Sequence, residues 1–121
     1  MEYFNLLPVE IQFDILKDTD PIDLIRLCQT SSQYQSICSD QYDYLWRMLL
    51  FGLIKPSRDY EAVAEFNDVN KTTFRNWYDA YIIFYKISRK YTGLYNFAKN
   101  CNLEHYIKLL YTNGILKSFA R

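Results

Sequence analysis

Apolar and aromatic residues recur at intervals of three and four along most of this chain, the spacing of one face of an α-helix. The longest series is Phe74, Trp77, Tyr78, Tyr81, Phe84, Tyr85 and Ser88. With only three glycines and three prolines, the sequence lacks the turn residues that an all-β chain requires. Half of the 121 residues are hydrophobic, enough for one compact core. We therefore predict an all-α fold.

Proline and aspartate mark where the first two helices begin. Pro8 suits the first turn of a helix, where its missing N–H would have no partner anyway, and we predict a helix over residues 8–17. Asp20 can cap a second helix, with Pro21 in its first position.

Two shorter helices are predicted next. Residues 30–32 can cap a third helix, Asp40 can cap a fourth, and Gly52 is a natural stop for that fourth helix. Residues 53–70 are expected to form a loop, interrupted by a short helical turn over residues 60–66.

The second half is expected to hold a long amphipathic helix and a helical hairpin. Asn70 or Thr72 opens the long helix. Residues 94–115 form two short antiparallel helices, with Asn102 as a cap and Asn113-Gly114 as the exit. The predicted regions are a module at residues 1–52, a loop or linker at 53–70 and a helical region at 71–121.

An ordered set of residues in the first part of the chain resembles the F-box motif. The family pattern runs Leu-Pro-x-Glu-Ile/Leu, Ile-Leu, Asp-Leu, Thr-Ser before an aromatic residue, and an apolar residue followed by Trp. The matching positions are Leu7-Pro8-Val9-Glu10-Ile11, Ile15-Leu16, Asp20, Asp23-Leu24, Leu27, Thr30-Ser31, Tyr34, Ile37-Cys38 and Leu45-Trp46. Thr19 stands where the family usually has Leu, which removes an apolar anchor from the turn before the second helix.

The resemblance implies a three-helix docking module that binds a Skp-type adaptor and recruits a target to a cullin–RING ubiquitin ligase. By match, the adaptor-binding residues would be Leu7, Pro8, Glu10, Ile11, Ile15 and Leu24, with Glu10 as a polar contact or a helix-end charge. Leu27, Ile37 and Trp46 would form the core of the module. A module of this size buries little apolar surface, so an exposed Leu/Ile face needs a partner. The alternative is that this face packs on residues 70–115.

Residues 94–115 also resemble one ankyrin repeat, without its Thr-Pro-Leu-His entry. The matching segments are Ala98-Lys99-Asn100-Cys101-Asn102-Leu103-Glu104, Ile107-Lys108-Leu109-Leu110 and Asn113-Gly114. One repeat cannot bury its own face, so these helices must pack on residues 74–91 or on another protein. In F-box proteins the part after the box selects the target, which assigns an unknown protein target to residues 71–121. Large DNA viruses encode F-box proteins, and the abundant Ile, Tyr, Asn and Lys, with AT-rich codons, are compatible with a viral origin.

Charge divides the chain into two unlike parts. Residues 1–46 hold eight acids and two bases, a balance of −6, and residues 47–121 hold six acids and twelve bases, a balance of +6. The split is compatible with two regions that attract each other, or with homo- or hetero-assembly as a structural component, for instance of a virus particle. Nucleic-acid binding by the basic half is disfavoured, because no nucleic-acid motif is present.

The sequence offers no catalytic, cofactor or metal signature, so we expect a protein that is not an enzyme. The single histidine, His105, is not part of any Cys/His cluster with metal-ligand spacing. Cys28, Cys38 and Cys101 are expected to be buried, reduced thiols, which favours an intracellular location in the cytoplasm or nucleus, including that of a host cell, with a virion as the alternative. No membrane span and no signal peptide are predicted.

Overall fold

The computed structural model describes residues 6–116. Residues 1–5 and 117–121, the outer ends of the first and last predicted regions, lie outside it. Within the described range the chain forms seven α-helices joined by 3₁₀ segments and turns, and it has no strand. The prediction of an all-α fold is confirmed.

The α-helices are α1 (Val9–Leu16), α2 (Pro21–Thr30), α3 (Asp43–Ile54), α4 (Tyr60–Val69), α5 (Trp77–Arg89), α6 (Leu94–Lys99) and α7 (Leu103–Thr112). Three 3₁₀ segments lie between them, at Ser32–Cys38, Asp40–Tyr42 and Lys71–Phe74.

Three predicted helix boundaries are confirmed, two by side-chain hydrogen bonds and one by a backbone conformation. The Asp20 carboxylate accepts from the Ile22 N–H at 2.9 Å, with Pro21 in the first position of α2. The Asn102 side chain accepts from the His105 N–H at 3.1 Å and caps α7. Gly114, with φ of 76°, takes the left-handed conformation expected at the exit of the last helix.

Other boundaries differ from the predictions for identifiable reasons. The third helix is a 3₁₀ segment, and α3 runs through Gly52 because Leu50 and Ile54 are both buried. The prediction of a loop over residues 53–70 is wrong for most of that range, because α3 continues to Ile54 and α4 is a complete helix. The first part of α4 agrees with the predicted helical turn over residues 60–66.

The long helix begins later than either predicted cap. Asn76 is its N-cap and accepts from the Asp79 N–H at 2.7 Å. Arg75, just before it, has φ of 66° and ψ of −52°, and the Asn76 N–H donates to the Phe74 carbonyl at 2.6 Å. This tight three-residue turn separates α5 from the 3₁₀ segment after Asn70.

The expectation of reduced thiols is wrong for two of the three cysteines. Cys28 in α2 and Cys38 at the end of the 3₁₀ segment form a disulfide, with their Cα atoms 6.0 Å apart. Cys101 is a buried free cysteine, as expected. Spacing along the chain could not show that the turn after α2 brings Cys28 and Cys38 together.

One hydrophobic cluster includes residues from the first and second halves of the chain. The Trp46 ring of α3 meets Tyr78 and Tyr81 of α5 edge-on, with centroids 5.0 and 5.3 Å apart. On α5, Phe84 contacts Phe97 of α6 and Tyr106 of α7. Helices α6 and α7 therefore pack on α5. Of the two alternatives predicted for residues 94–115, packing on residues 74–91 or on another protein, the structure shows the first.

Within residues 6–116, no helix has both the length and the apolar character that crossing a membrane requires.

Candidate partner-binding face

Helix α1 is held against the core by the face that carries Gln12 and Leu16. Pro8 begins it, since the Pro8 carbonyl accepts from the Ile11 and Gln12 N–H groups, each at 3.0 Å. The Gln12 side chain is buried; it donates to the Leu7 carbonyl at 3.0 Å and accepts from the Tyr42 hydroxyl. Leu16, one turn further along, is also buried. These contacts fix which side of α1 faces the core.

Apolar side chains are exposed along the flank of α1 that adjoins this buried face. Ile11 and Ile15 keep 44% and 37% of their surface exposed, Pro8 is exposed and Leu7 is half-buried. We call Leu7, Pro8, Ile11 and Ile15 the α1 stripe. Ile11 lies three residues after Pro8 and four residues before Ile15, so these three side chains share one side of the helix, and Leu7 lies just before its first turn. Leu6, 79% exposed, lies just before it in sequence.

Acidic side chains accompany the α1 stripe. Glu10 is exposed in the first turn of α1, where a negative charge is favoured by the helix dipole. Asp14 is exposed one turn later and pairs with Lys17 at 3.2 Å. The face therefore combines an apolar ridge with carboxylates, which suits a partner that offers apolar contacts and basic or amide donors.

Leu24 is a correction to the predicted adaptor-binding residues. It is fully buried, with 0% of its surface exposed, and belongs to the hydrophobic core cluster. On α2 it lies one turn before Cys28, so the disulfide and Leu24 share the face that packs inward. In this structure Leu24 cannot contact a partner.

The three residues predicted as module core all lie inward. Ile37 and Trp46 are buried, and the Trp46 Nε1–H donates to the Ile37 carbonyl at 2.7 Å. Leu27 is partly buried and packs against the cluster. Because Trp46 also contacts α5, this core is shared between the N-terminal module and the C-terminal helices.

Thr19, the position that differs from the family pattern, is half-buried between α1 and α2. Its hydroxyl donates to the Ile15 carbonyl at 3.4 Å, and its N–H donates to the Leu16 carbonyl at 3.0 Å. The polar side chain is therefore used in the turn itself, and the backbone turn forms without an apolar anchor.

Two residues that hold α1 and the beginning of α2 in place, Gln12 and Tyr95, were not predicted from the sequence. Gln12 lies four residues before the buried Leu16, so helical spacing alone could have placed it inward. Tyr95 of α6 donates from its hydroxyl to the Asp20 carboxylate at 3.4 Å. Burial, and next the charge of Asp20, raise the pKa of Tyr95. No sequence signal indicated this contact over 75 positions.

Comparison with known families agrees with this geometry. Residues 4–52 match the family model described as F-box-like, a match that covers less than half of the chain. No curated protein and no solved structure matches the chain. Residues 4–52 are therefore similar to F-box-like domains, and F-box domains are generally non-catalytic interaction modules that bind Skp-type adaptors.

The α1 stripe falls inside the matched segment, and so do all the residues predicted for adaptor binding and module core. The last two residues of α3, all of α4 and the helices after it lie outside that segment.

Proposed function

We propose that this chain is an F-box-type adaptor that recruits a target protein to a Skp–cullin–RING ubiquitin ligase inside cells. This location follows from the match to the F-box-like family and takes no support from the cysteines, since Cys28 and Cys38 form a disulfide. The observation that carries the proposal is the exposed α1 stripe within the F-box-like domain. An apolar ridge on a helix whose other face is fully used is the kind of surface that a protein partner covers.

The contacts that we assign to the adaptor are Leu7, Pro8, Glu10, Ile11 and Ile15. Ile11 and Ile15 supply the central apolar contacts, since burying each on binding removes exposed hydrocarbon from water. Glu10 supplies a charge at the rim of the contact. Leu24 takes no part, because it is buried.

The region from residue 71 onward is the part that we assign to target binding. Its surface presents exposed tyrosines on and near the last two helices, Tyr91, Tyr95 and Tyr111, among many basic side chains. Tyrosines offer large contact area at low conformational cost, which favours them at protein interfaces.

Reconstitution tests the proposal directly. The full chain is mixed with a Skp-type adaptor and a cullin–RING assembly and separated by size-exclusion chromatography. The wild-type chain should co-elute with both, and replacing Leu7 and Pro8 with Ala should remove it from the complex. Failure of the wild-type chain to bind the adaptor at about 1 μM to 10 μM would contradict the proposal.

A further inference from the structure

A groove lies between the second half of α5 and the exit of α7. It has a volume of about 520 Å³ and is lined by Ile83, Lys86, Ile87, Arg89, Lys90 and Ile115, together with Asn113. We call it the basic groove. Ile83, Lys86, Ile87 and Lys90 lie at helical spacing, so they share one face of α5.

The exit of α7 forms the other wall. Gly114 turns the chain back, and the Ile115 N–H donates to the Leu110 carbonyl at 2.9 Å, which directs Ile115 towards α5. Lys90 donates from Nζ to the Asn113 side chain at 2.8 Å and joins the two walls. Both walls of the groove are therefore set by the fold of the described residues.

Its chemistry is an apolar floor with a positive rim. Three isoleucines line it, Lys86, Arg89 and Lys90 are exposed around them, and no acidic side chain is among the described residues that line it. A matching occupant offers apolar side chains at helical spacing flanked by carboxylates.

The chain itself contains such a segment. The α1 stripe exposes Ile11 and Ile15, and Glu10 and Asp14 lie beside them. Within one molecule α1 is fixed on its own module through Gln12 and Leu16, and no other part of residues 6–116 covers Ile11 and Ile15 fully. The residues after Leu116 include Lys117 and Arg121, whose charges do not complement the rim.

We propose that the basic groove of one molecule binds the acidic, apolar outer face of α1 of a second molecule, giving head-to-tail self-association. The two surfaces differ, so the contact is heterologous and each molecule keeps one free face, which permits growth beyond a dimer. This inference does not rest on the proposed ligase function. Since it uses the α1 stripe, self-association and adaptor binding exclude each other at that face.

Sedimentation of the full chain, without any adaptor, tests the inference. At an ionic strength of about 0.01 M, where the Debye length is about 30 Å, the average mass should rise with protein concentration up to about 1 mM. At about 1 M, where screening acts within about 3 Å, the association should weaken.

Two charge-reversed variants locate the contact. K86E/K90E makes the groove acidic, and E10K/D14K makes the α1 face basic. Each alone should lose at least about tenfold in association constant, because like charges then face each other. Their equimolar mixture should associate again, since it restores complementary pairs.

Matched controls separate the contact from net charge. K99E/K108E and E61K/E65K change the net charge as much, at exposed residues outside both surfaces. Each should self-associate like the wild-type chain. Circular dichroism checks that every variant is folded, and K86Q/K90Q replaces K86E/K90E if that variant is not.

Three results would overturn the inference. The first is a wild-type chain that stays monomeric at low ionic strength. The second is equal loss of association in the control variants. The third is association that persists in both K86E/K90E and E10K/D14K.

Discussion

Two fully buried tyrosines differ in whether the hydroxyl has a hydrogen-bond partner. Tyr106 of α7 donates to the Asn67 side chain at 3.0 Å. The Tyr81 hydroxyl of α5 is buried and has no hydrogen-bond partner among residues 6–116. An unpaired buried polar group costs free energy, whereas a paired one contributes.

Replacing these tyrosines with Phe should therefore have opposite effects. Tyr81→Phe should raise the free energy of unfolding by about 1 kcal/mol, and Tyr106→Phe should lower it by about 1–2 kcal/mol, because Asn67 then loses its donor. Urea denaturation of both variants beside the wild-type chain measures the difference. Changes of the same sign would contradict this account of the two hydroxyls.

Cys101 gives a second test at the residue scale. Burial, and next the charge of Asp59, raise the pKa of its thiol from 9.0 to about 12. The unfolded chain releases this proton first, so the contribution to stability is complete below pH 9.0 and is lost as pH rises towards about 12. Burial also raises the pKa of Tyr81 and Tyr106 above 10.0, which extends the loss to higher pH.

Stability should thus decline in alkaline solution, with an onset near pH 9.0. In Cys101→Ala the decline should begin closer to pH 10.0, where the tyrosines of the unfolded chain ionise. Urea unfolding at a series of pH values measures both onsets. Identical pH profiles for the two proteins would show that Cys101 is not responsible.

At the scale of the element, Gly52 shows how packing extends a helix beyond its local signals. An ideal Cβ built on Gly52 meets nothing within 4 Å, and the residue lies inside α3. Gly114 also has open space around its Cβ position, but its φ is 76°. A substitution at Gly52 therefore tests helix propensity, and one at Gly114 tests the requirement for a positive φ.

Gly52→Ala should raise the free energy of unfolding by about 0.5–1 kcal/mol, because alanine loses less backbone entropy in a helix. Gly114→Ala should lower it by about 1 kcal/mol, since alanine is strained at positive φ. Thermal unfolding of both variants provides the comparison. Destabilisation by Gly52→Ala would mean that α3 does not continue through residue 52.

The disulfide is the other contact that positions an element. It joins α2 to the 3₁₀ segment across 10 residues. Cross-links that close short loops typically stabilise by about 2–4 kcal/mol. We expect Cys38→Ser, or addition of a reducing agent, to lower the free energy of unfolding by that amount. If reducing agent leaves the free energy of unfolding of the wild-type chain unchanged, the disulfide does not stabilise the fold.

Local signals predicted the elements whose boundaries are set locally. Asp20-Pro21, Asn102 and Gly114 act through neighbouring backbone groups, and each was identified from the sequence. The beginning of α5 was not, because its local cap, Asn76, and its first N–H group are both bound by residues far along the chain. The Trp77 N–H donates to the Asp43 carboxylate at 2.6 Å, and the Asn76 side chain donates to Asp40 at 2.5 Å.

At the scale of the whole molecule, α3 and α5 connect the F-box-like domain to the rest of the chain. Trp46, predicted as core of the module, is buried against α5, so the two halves share one core. The ordered motif predicted the α1 stripe but placed Leu24 on the binding face. Motif matching reports which residues recur in a family, whereas burial depends on the turn and disulfide that fold α2 inward.

The exposed apolar residues of α1 should act as a docking surface. Calorimetric titration of a Skp-type adaptor with the wild-type chain, Ile11→Asp and Val69→Asp tests it most directly. Val69 is an exposed apolar residue on α4, so Val69→Asp makes the same kind of change outside the α1 stripe.

We expect the wild-type chain and Val69→Asp to bind within about twofold of each other, and Ile11→Asp to bind at least about 30-fold more weakly. Binding by Ile11→Asp with wild-type affinity would contradict this expectation, and so would an equal loss in Val69→Asp.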